Sequence, residues 1–139
     1  YDRETEKGSC VMPPETPVAT AKILVIEDSR EVRMSFVAAF EDEGYTVFAA
    51  ADGKTGLEEF AKNSPDLVIT DLRMEGIGGM EILQKVREIS DVPVIVVTAL
   101  GDGGTREECL KAGAADFITK GGSIDNMIMR AQKHLGQAA

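Results

Sequence analysis

The chain has 139 residues, 43% of them hydrophobic and 28% charged, which suits one domain able to bury its own core and leaves no room for a second. A formal net charge of -9 argues against nucleic acid or anionic lipid as a partner, since both require a basic face, so any phosphate chemistry needs a locally cationic site. No segment approaches the roughly 20 apolar residues of a membrane helix, and the N-terminus lacks the apolar core of a secretion signal, so the expected location is the cytoplasm with no membrane partner.

Residues 1–21 hold Pro13, Pro14 and Pro17, several charges and no apolar period, and are expected to be a disordered leader, linker or tag. From Lys22 onward, short β-rich apolar runs alternate with longer stretches of helical apolar spacing. The predicted strands are Ile23–Ile26, Tyr45–Ala49, Leu67–Thr70, Val94–Thr98 and Asp116–Thr119. Between them run three helical stripes: Val32, Phe36, Val37 and Phe40; then Leu57, Phe60 and Ala61; then Ile82, Leu83, Val86 and Ile89. A fourth, short helix over about residues 106–112 is introduced by Thr105 with Glu108 three residues on, a capping-box spacing. The fifth carries Ile124, Met127, Ile128, Ala131 and Leu135 behind a Ser123 N-cap. The domain is expected over residues 22–136, with 137–139 as a tail.

Five strands alternating with five helices predict an α/β fold, a mainly parallel sheet covered on both faces. The uninterrupted apolar runs Ile23–Ile26 and Val94–Val97 suit strands buried on both faces. Cys10 and Cys109 lie far apart without metal-ligand spacing and are expected to be unpaired thiols.

Ligands of a doubly wound sheet bind outside the carboxyl ends of its strands, so those ends carry the functional argument. They read Glu27-Asp28, Thr70-Asp71, Thr98-Ala99 and Thr119-Lys120. Converging carboxylates raise each other's cost of ionisation and need a cation, and a few oxygen ligands suit Mg²⁺, with Mn²⁺ as a substitute. A carboxylate beside such an ion can attack phosphorus to give an aspartyl phosphate, which makes Asp71 the candidate acceptor. Lys120 would neutralise one phosphoryl oxygen and Thr98 would donate a hydrogen bond to another. Taken singly, each residue has a plainer role: Glu27 and Asp28 as caps near Ser29, Thr98 as a β-branched strand residue, and Lys120 as a solvated charge. The conjunction on one edge is what favours chemistry.

Ile23-Leu-Val-Ile-Glu-Asp28, Asp71-Leu-Arg-Met74 with Gly79, Val94-Ile-Val-Val-Thr-Ala99 and Ala112 to Lys120 together resemble the receiver domain of two-component response regulators across Lys22–Leu135. The resemblance implies a flavodoxin-like, doubly wound fold of strand order 2-1-3-4-5. It also implies Mg²⁺ held by Asp28, Asp71 and the backbone carbonyl of Arg73, with Glu27 acting through water. Phosphoryl transfer would come from a phosphohistidine on a sensor histidine kinase or a histidine phosphotransfer protein. Phe117, three residues before Lys120, matches the family's switch aromatic, whose movement with Thr98 alters the face of helix four, strand five and helix five, where a downstream protein would bind; the plain alternative is a core residue. Such a domain is a phospho-acceptor, not an enzyme in the ordinary sense.

Two family prolines are missing, with Glu75 and Gly121 in their places, and the second change gives the loop after Lys120 more backbone freedom. The glycines at 76, 78 and 79, and at 101, 103 and 104, read as flexible loops, since neither group has phosphate-loop spacing. Arg73 and Leu100 are expected to tune phosphoryl lifetime. His134 reads as a solvated helix-end residue and not a phospho-acceptor. Two competing functions remain: a haloacid-dehalogenase-type phosphatase, disfavoured because Glu27-Asp28 replaces that family's Asp-x-Asp pair, and a non-phosphorylated interaction module. Output is expected through protein contacts or through domains outside this sequence.

Overall fold

The computed structural model describes residues 21–72, 76–98, 105–120 and 122–135. Arg73, Glu75, Leu100, Gly121 and Cys10, together with the expected leader up to residue 20 and the tail, lie outside the described residues.

The chain alternates β1 (Lys22–Ile26), α1 (Arg30–Asp42), β2 (Thr46–Ala50), α2 (Gly53–Asn63), β3 (Leu67–Asp71), α3 (Gly79–Ile89), β4 (Val94–Thr98), α4 (Thr105–Lys111), β5 (Asp116–Thr119) and α5 (Ile124–His134). All four strand pairings are parallel and the sheet order is β2-β1-β3-β4-β5. This is the doubly wound 2-1-3-4-5 arrangement expected from the sequence. Ala21, at the end of the expected leader, is buried, and its carbonyl accepts the Thr46 N–H at 3.1 Å.

The continuous apolar runs are buried on both faces because alternate side chains serve different cores. Ile23 and Val25 of β1, with Ile95 and Val97 of β4, meet Phe36 and Phe40 of α1 and Met127, Ile128 and Ala131 of α5. Leu24, Ile26, Val94 and Val96 face the other way, toward Phe60 of α2, Leu83 of α3 and Cys109 of α4.

Two stripe assignments are corrected by packing. Ile89 has the right helical angle but is the last residue of α3 and is 69% exposed, past the point where Val86 makes the last buried contact. Ala61 is exposed because α2 buries a line of Gly53, Gly56 and Phe60, two members of which hydrophobicity does not register. Helix starts follow ordinary capping: Ser29, Asp52 and Ser123 accept the backbone N–H groups of Val32, Thr55 and Asn126.

Candidate functional site

The sheet order places the topological switch beside β1, where β2 lies on one side and β3 on the other. β1 delivers Glu27 and Asp28 just past its carboxyl end, and Asp71 is the last residue of β3. Glu27 is fixed by backbone on both sides: its N–H donates to the Ala50 carbonyl at 3.0 Å, and its carbonyl accepts from Arg33 Nη1 at 2.8 Å. Its carboxylate Oε2 accepts the Ser29 N–H at 3.0 Å, so Glu27 supports the start of α1 while turning Oε1 toward the site.

One oxygen from each of Glu27, Asp28 and Asp71 lies within 4.8 Å of the others. Glu27 and Asp71 are buried and Asp28 is exposed, so the cluster has a closed floor and an open side. Lys120 Nζ reaches over from the end of β5 and lies 3.0 Å from Asp71 Oδ2 and 2.9 Å from Glu27 Oε1. Both contacts are close ion pairs, and the Asp71 contact is also a well-formed hydrogen bond. Burial pushes the Glu27 carboxyl above its ordinary range, and the nearby Asp71 charge adds to this against the opposing Ser29 and Lys120 contacts. Burial works to lower the Lys120 ammonium, but the two carboxylates outweigh it and hold the amine above its ordinary value.

A cation fits this donor set: three carboxylates share one edge, two of them are buried, and a single ammonium offsets them. Thr98, 2% exposed, ends β4 one residue beyond Val97, the register partner of Asp71. The Lys120 N–H donates to the Thr98 carbonyl at 2.6 Å, so backbone pairing brings amine and hydroxyl strands to the same edge. The sequence-predicted residues Glu27, Asp28, Asp71, Thr98 and Lys120 are thus assembled at neighbouring strand ends.

The family model of the response regulator receiver domain matches residues 23–132. The chain belongs to the response regulator receiver domain family. The receiver is 34% identical over 115 residues to the sporulation initiation phosphotransferase F of Bacillus subtilis, covering 82% of this chain and 93% of that protein. It is 41% identical over 99 residues to the probable transcriptional regulator ycf27 of Porphyridium aerugineum, covering 71% of this chain and 41% of that one. Its fold superposes on a receiver domain from Clostridium thermocellum with a TM-score of 0.80 at 30% identity, covering 84% of this chain and 95% of that one. The receiver spans about half the length, or less, of the regulators among its first relatives. The expectation of no nucleic-acid partner is not sustained, because several of these relatives are named transcriptional regulators.

Several features of the receiver were not legible in its sequence. Gly79, read as part of a flexible loop, is instead the first residue of α3 and sits so close to β3 that a Cβ there would lie 2.4 Å from the Asp71 carbonyl oxygen. Phe117 is 8% exposed, packed among the α2–α3–α4 side of the core, so the ring is turned inward in this conformation. His134 is not merely solvated: its Nε2 lies 3.2 Å from Asp116 Oδ2, while Arg130 Nη1 lies 3.0 Å from Asp116 Oδ1. Asp116 thus joins β5 to α5 by contacts 14 and 18 residues apart in sequence, beyond the reach of any local pattern. Arg33 was also missed; its only sequence signal is a cation beside the apolar stripe of α1. Cys109 is a free buried thiol whose pKa is raised by burial, which makes it packing material and not a nucleophile. Among the described residues, no helix is long and apolar enough to cross a membrane.

Proposed function

We propose that Asp71 accepts a phosphoryl group from a phosphohistidine on a sensor histidine kinase or histidine phosphotransfer protein. The observation that carries this reading is the placement of Lys120 Nζ within 3.0 Å of Asp71 Oδ2, at the edge of a three-carboxylate cluster. An Asp71 carboxylate oxygen attacks phosphorus in line, the P–N bond to the donor imidazole breaks, and its electron pair stays on that nitrogen. Lys120 then exchanges part of its carboxylate pairing for a phosphoryl oxygen, and the Thr98 hydroxyl supplies a directed donor to another. Glu27, Asp28 and Asp71, with the Arg73 carbonyl, would hold Mg²⁺, which neutralises the charge that accumulates on the transferring group. Hydrolysis of the acyl phosphate by water regenerates Asp71, so the domain is a switch with a lifetime and not a turnover enzyme.

The switch reading places the response in Thr98 and Phe117 and on the α4–β5–α5 face. The Phe117 carbonyl accepts from Arg106 Nη1 at 3.3 Å and Arg130 Nη1 at 3.5 Å, so movement of β5 at that residue reaches both flanking helices. A downstream protein, or another domain of the same polypeptide, would read that face. The names of several relatives, transcriptional regulators, are compatible with a nucleic-acid-binding output outside this domain. The expected site of action is the cytoplasm.

The test is intact mass after incubation with Mg²⁺ and acetyl phosphate or phosphoramidate. Wild type should gain one labile phosphoryl group, and the gain should vanish with EDTA or in Asp71→Asn. An unchanged mass under all conditions would replace this reading with that of a non-phosphorylated interaction module.

A further inference from the structure

We infer that Gly53, on the first turn of α2, is a positioning residue that seats Ile77 and, through the Gly79–Leu72 hydrogen bond, sets the geometry of the acidic site at Asp71. The inference rests on the Mg²⁺-dependent acceptor reading given above. Gly53 lies outside every site motif, and it is not a left-handed residue, since the positive-φ glycines among the described residues are Gly44, Gly76 and Gly113. Backbone conformation therefore gives no reason for glycine there. Nor is it a cap, since Asp52 is the N-cap of α2. The remaining reason is space.

Gly53 is buried, and a Cβ built on it would lie 2.5 Å from the Ile77 carbonyl oxygen, 2.7 Å from Ile77 Cβ and 2.8 Å from Ile77 Cγ2. Ile77 is itself half-buried against the α2–α3–α4 side of the core. Two residues later the Gly79 N–H donates to the Leu72 carbonyl at 2.9 Å, and a Gly79 Cβ would lie 2.4 Å from the Asp71 carbonyl oxygen. Leu72 and Gly79 are thus tied to each other beside the acceptor strand, and Ile77 is seated on α2. A methyl group on residue 53 would have to push the Ile77 backbone back by about 1 Å to reach ordinary contact distance. Because Leu72 and Gly79 are hydrogen-bonded to each other, that displacement is passed to the residue after Asp71.

Gly56 provides an internal control. It lies on the same buried line of α2, but its Cβ would meet Ile26 Cδ1 at 2.5 Å and Cγ1 at 2.8 Å, so the strain falls on a β1 side chain and not on the acceptor segment. The experiment compares wild type, Gly53→Ala, Gly56→Ala and Ile77→Ala in three measurements. These are Mg²⁺ affinity by calorimetry, thermal denaturation without metal, and metal-free amide chemical shifts of Asp71 and Leu72. Gly53→Ala and Ile77→Ala should each weaken Mg²⁺ binding by roughly tenfold, the scale of a lost supporting contact around a metal site. Gly56→Ala, whose methyl meets only the Ile26 side chain, should keep wild-type affinity. Wild-type affinity in Gly53→Ala overturns the inference, as does an equal loss in Gly56→Ala. If Gly53→Ala does not fold, Ile77→Ala decides alone, and wild-type affinity there overturns it. If wild type itself binds no Mg²⁺, it is the acceptor reading that fails. The metal-free shifts then judge the contact: movement at Asp71 and Leu72 in Gly53→Ala supports it and unmoved resonances overturn it.

Discussion

Glu27 sets the electrostatic character of the site at the residue scale. Burial holds its carboxyl above the ordinary value of 4.5, so the folded chain binds this proton more tightly than the unfolded chain does. The sign follows directly: stability is greatest below the unfolded value and is lost as pH rises through the higher folded value, where a buried charge must be maintained. Metal-free wild type should therefore lose stability relative to Glu27→Gln across that rise, measured by urea denaturation at matched pH steps. Parallel pH curves for the two proteins would show that the carboxyl is not paying this cost. Lys120 has the same sign in a higher window: its amine is held above the ordinary 10.5 by the two carboxylates, and its stabilising contribution is lost only as pH rises beyond that value. A receiver that keeps its least favourable carboxylate beside a single ammonium is poised for a second cation, which is the physical sense of the acidic cluster.

At the scale of elements, the site is made by strand register and by the close approach of two helix starts. β1, β3 and β4 are in parallel register such that Ile26 lies opposite Thr70 and Asp71 opposite Val97, which brings their carboxyl ends level. α3 approaches this edge through Gly79. Gly79→Ala should destabilise the domain by about 1–3 kcal/mol, the range for overpacking, because its methyl would sit 2.4 Å from a backbone oxygen that cannot rotate away. The same variant should slow phosphorylation by acetyl phosphate, since the displaced oxygen belongs to Asp71. Denaturation and mass-spectrometric time courses check the two halves, and a Gly79→Ala protein of wild-type stability would contradict the geometry. The glycine eight residues beyond the acceptor was legible as a motif, but its reason was not, because the partner atom is brought near by the chain's return.

For the whole molecule, the sheet separates two ends with different duties. The carboxyl ends of β1, β3, β4 and β5 hold the acidic site, while Asp116 at the start of β5 anchors α5 through Arg130 and His134. β5 is four residues long, so its two ends are roughly 10 Å apart at about 3.3 Å per residue. Asp116→Ala should cost about 1–2 kcal/mol through the lost partly buried pair and hydrogen bonds, and leave Mg²⁺ affinity unchanged. Denaturation with calorimetry tests this, and a parallel loss of metal affinity would mean that the anchor and the site are one unit.

What the sequence determined by itself was the alternation of strands and helices, the burial of β1 and β4 on both faces, and the identities of Glu27, Asp28, Asp71, Thr98 and Lys120 as candidates. Those depend on local periodicity and on the rule that chemistry collects at strand ends, both of which are readable within a few residues. Only the tertiary structure decided which of the three carboxylates is exposed, that Lys120 bridges two of them, that Phe117 lies inward, and that Asp116, Arg130 and His134 meet. It also turned Gly53, Gly56 and Gly79 from loop or silent positions into contacts. A glycine demanded by close approach carries no apolar signal, and an ion pair spanning 14 or 49 residues has no period, so neither exists as a pattern until the chain has folded back on itself.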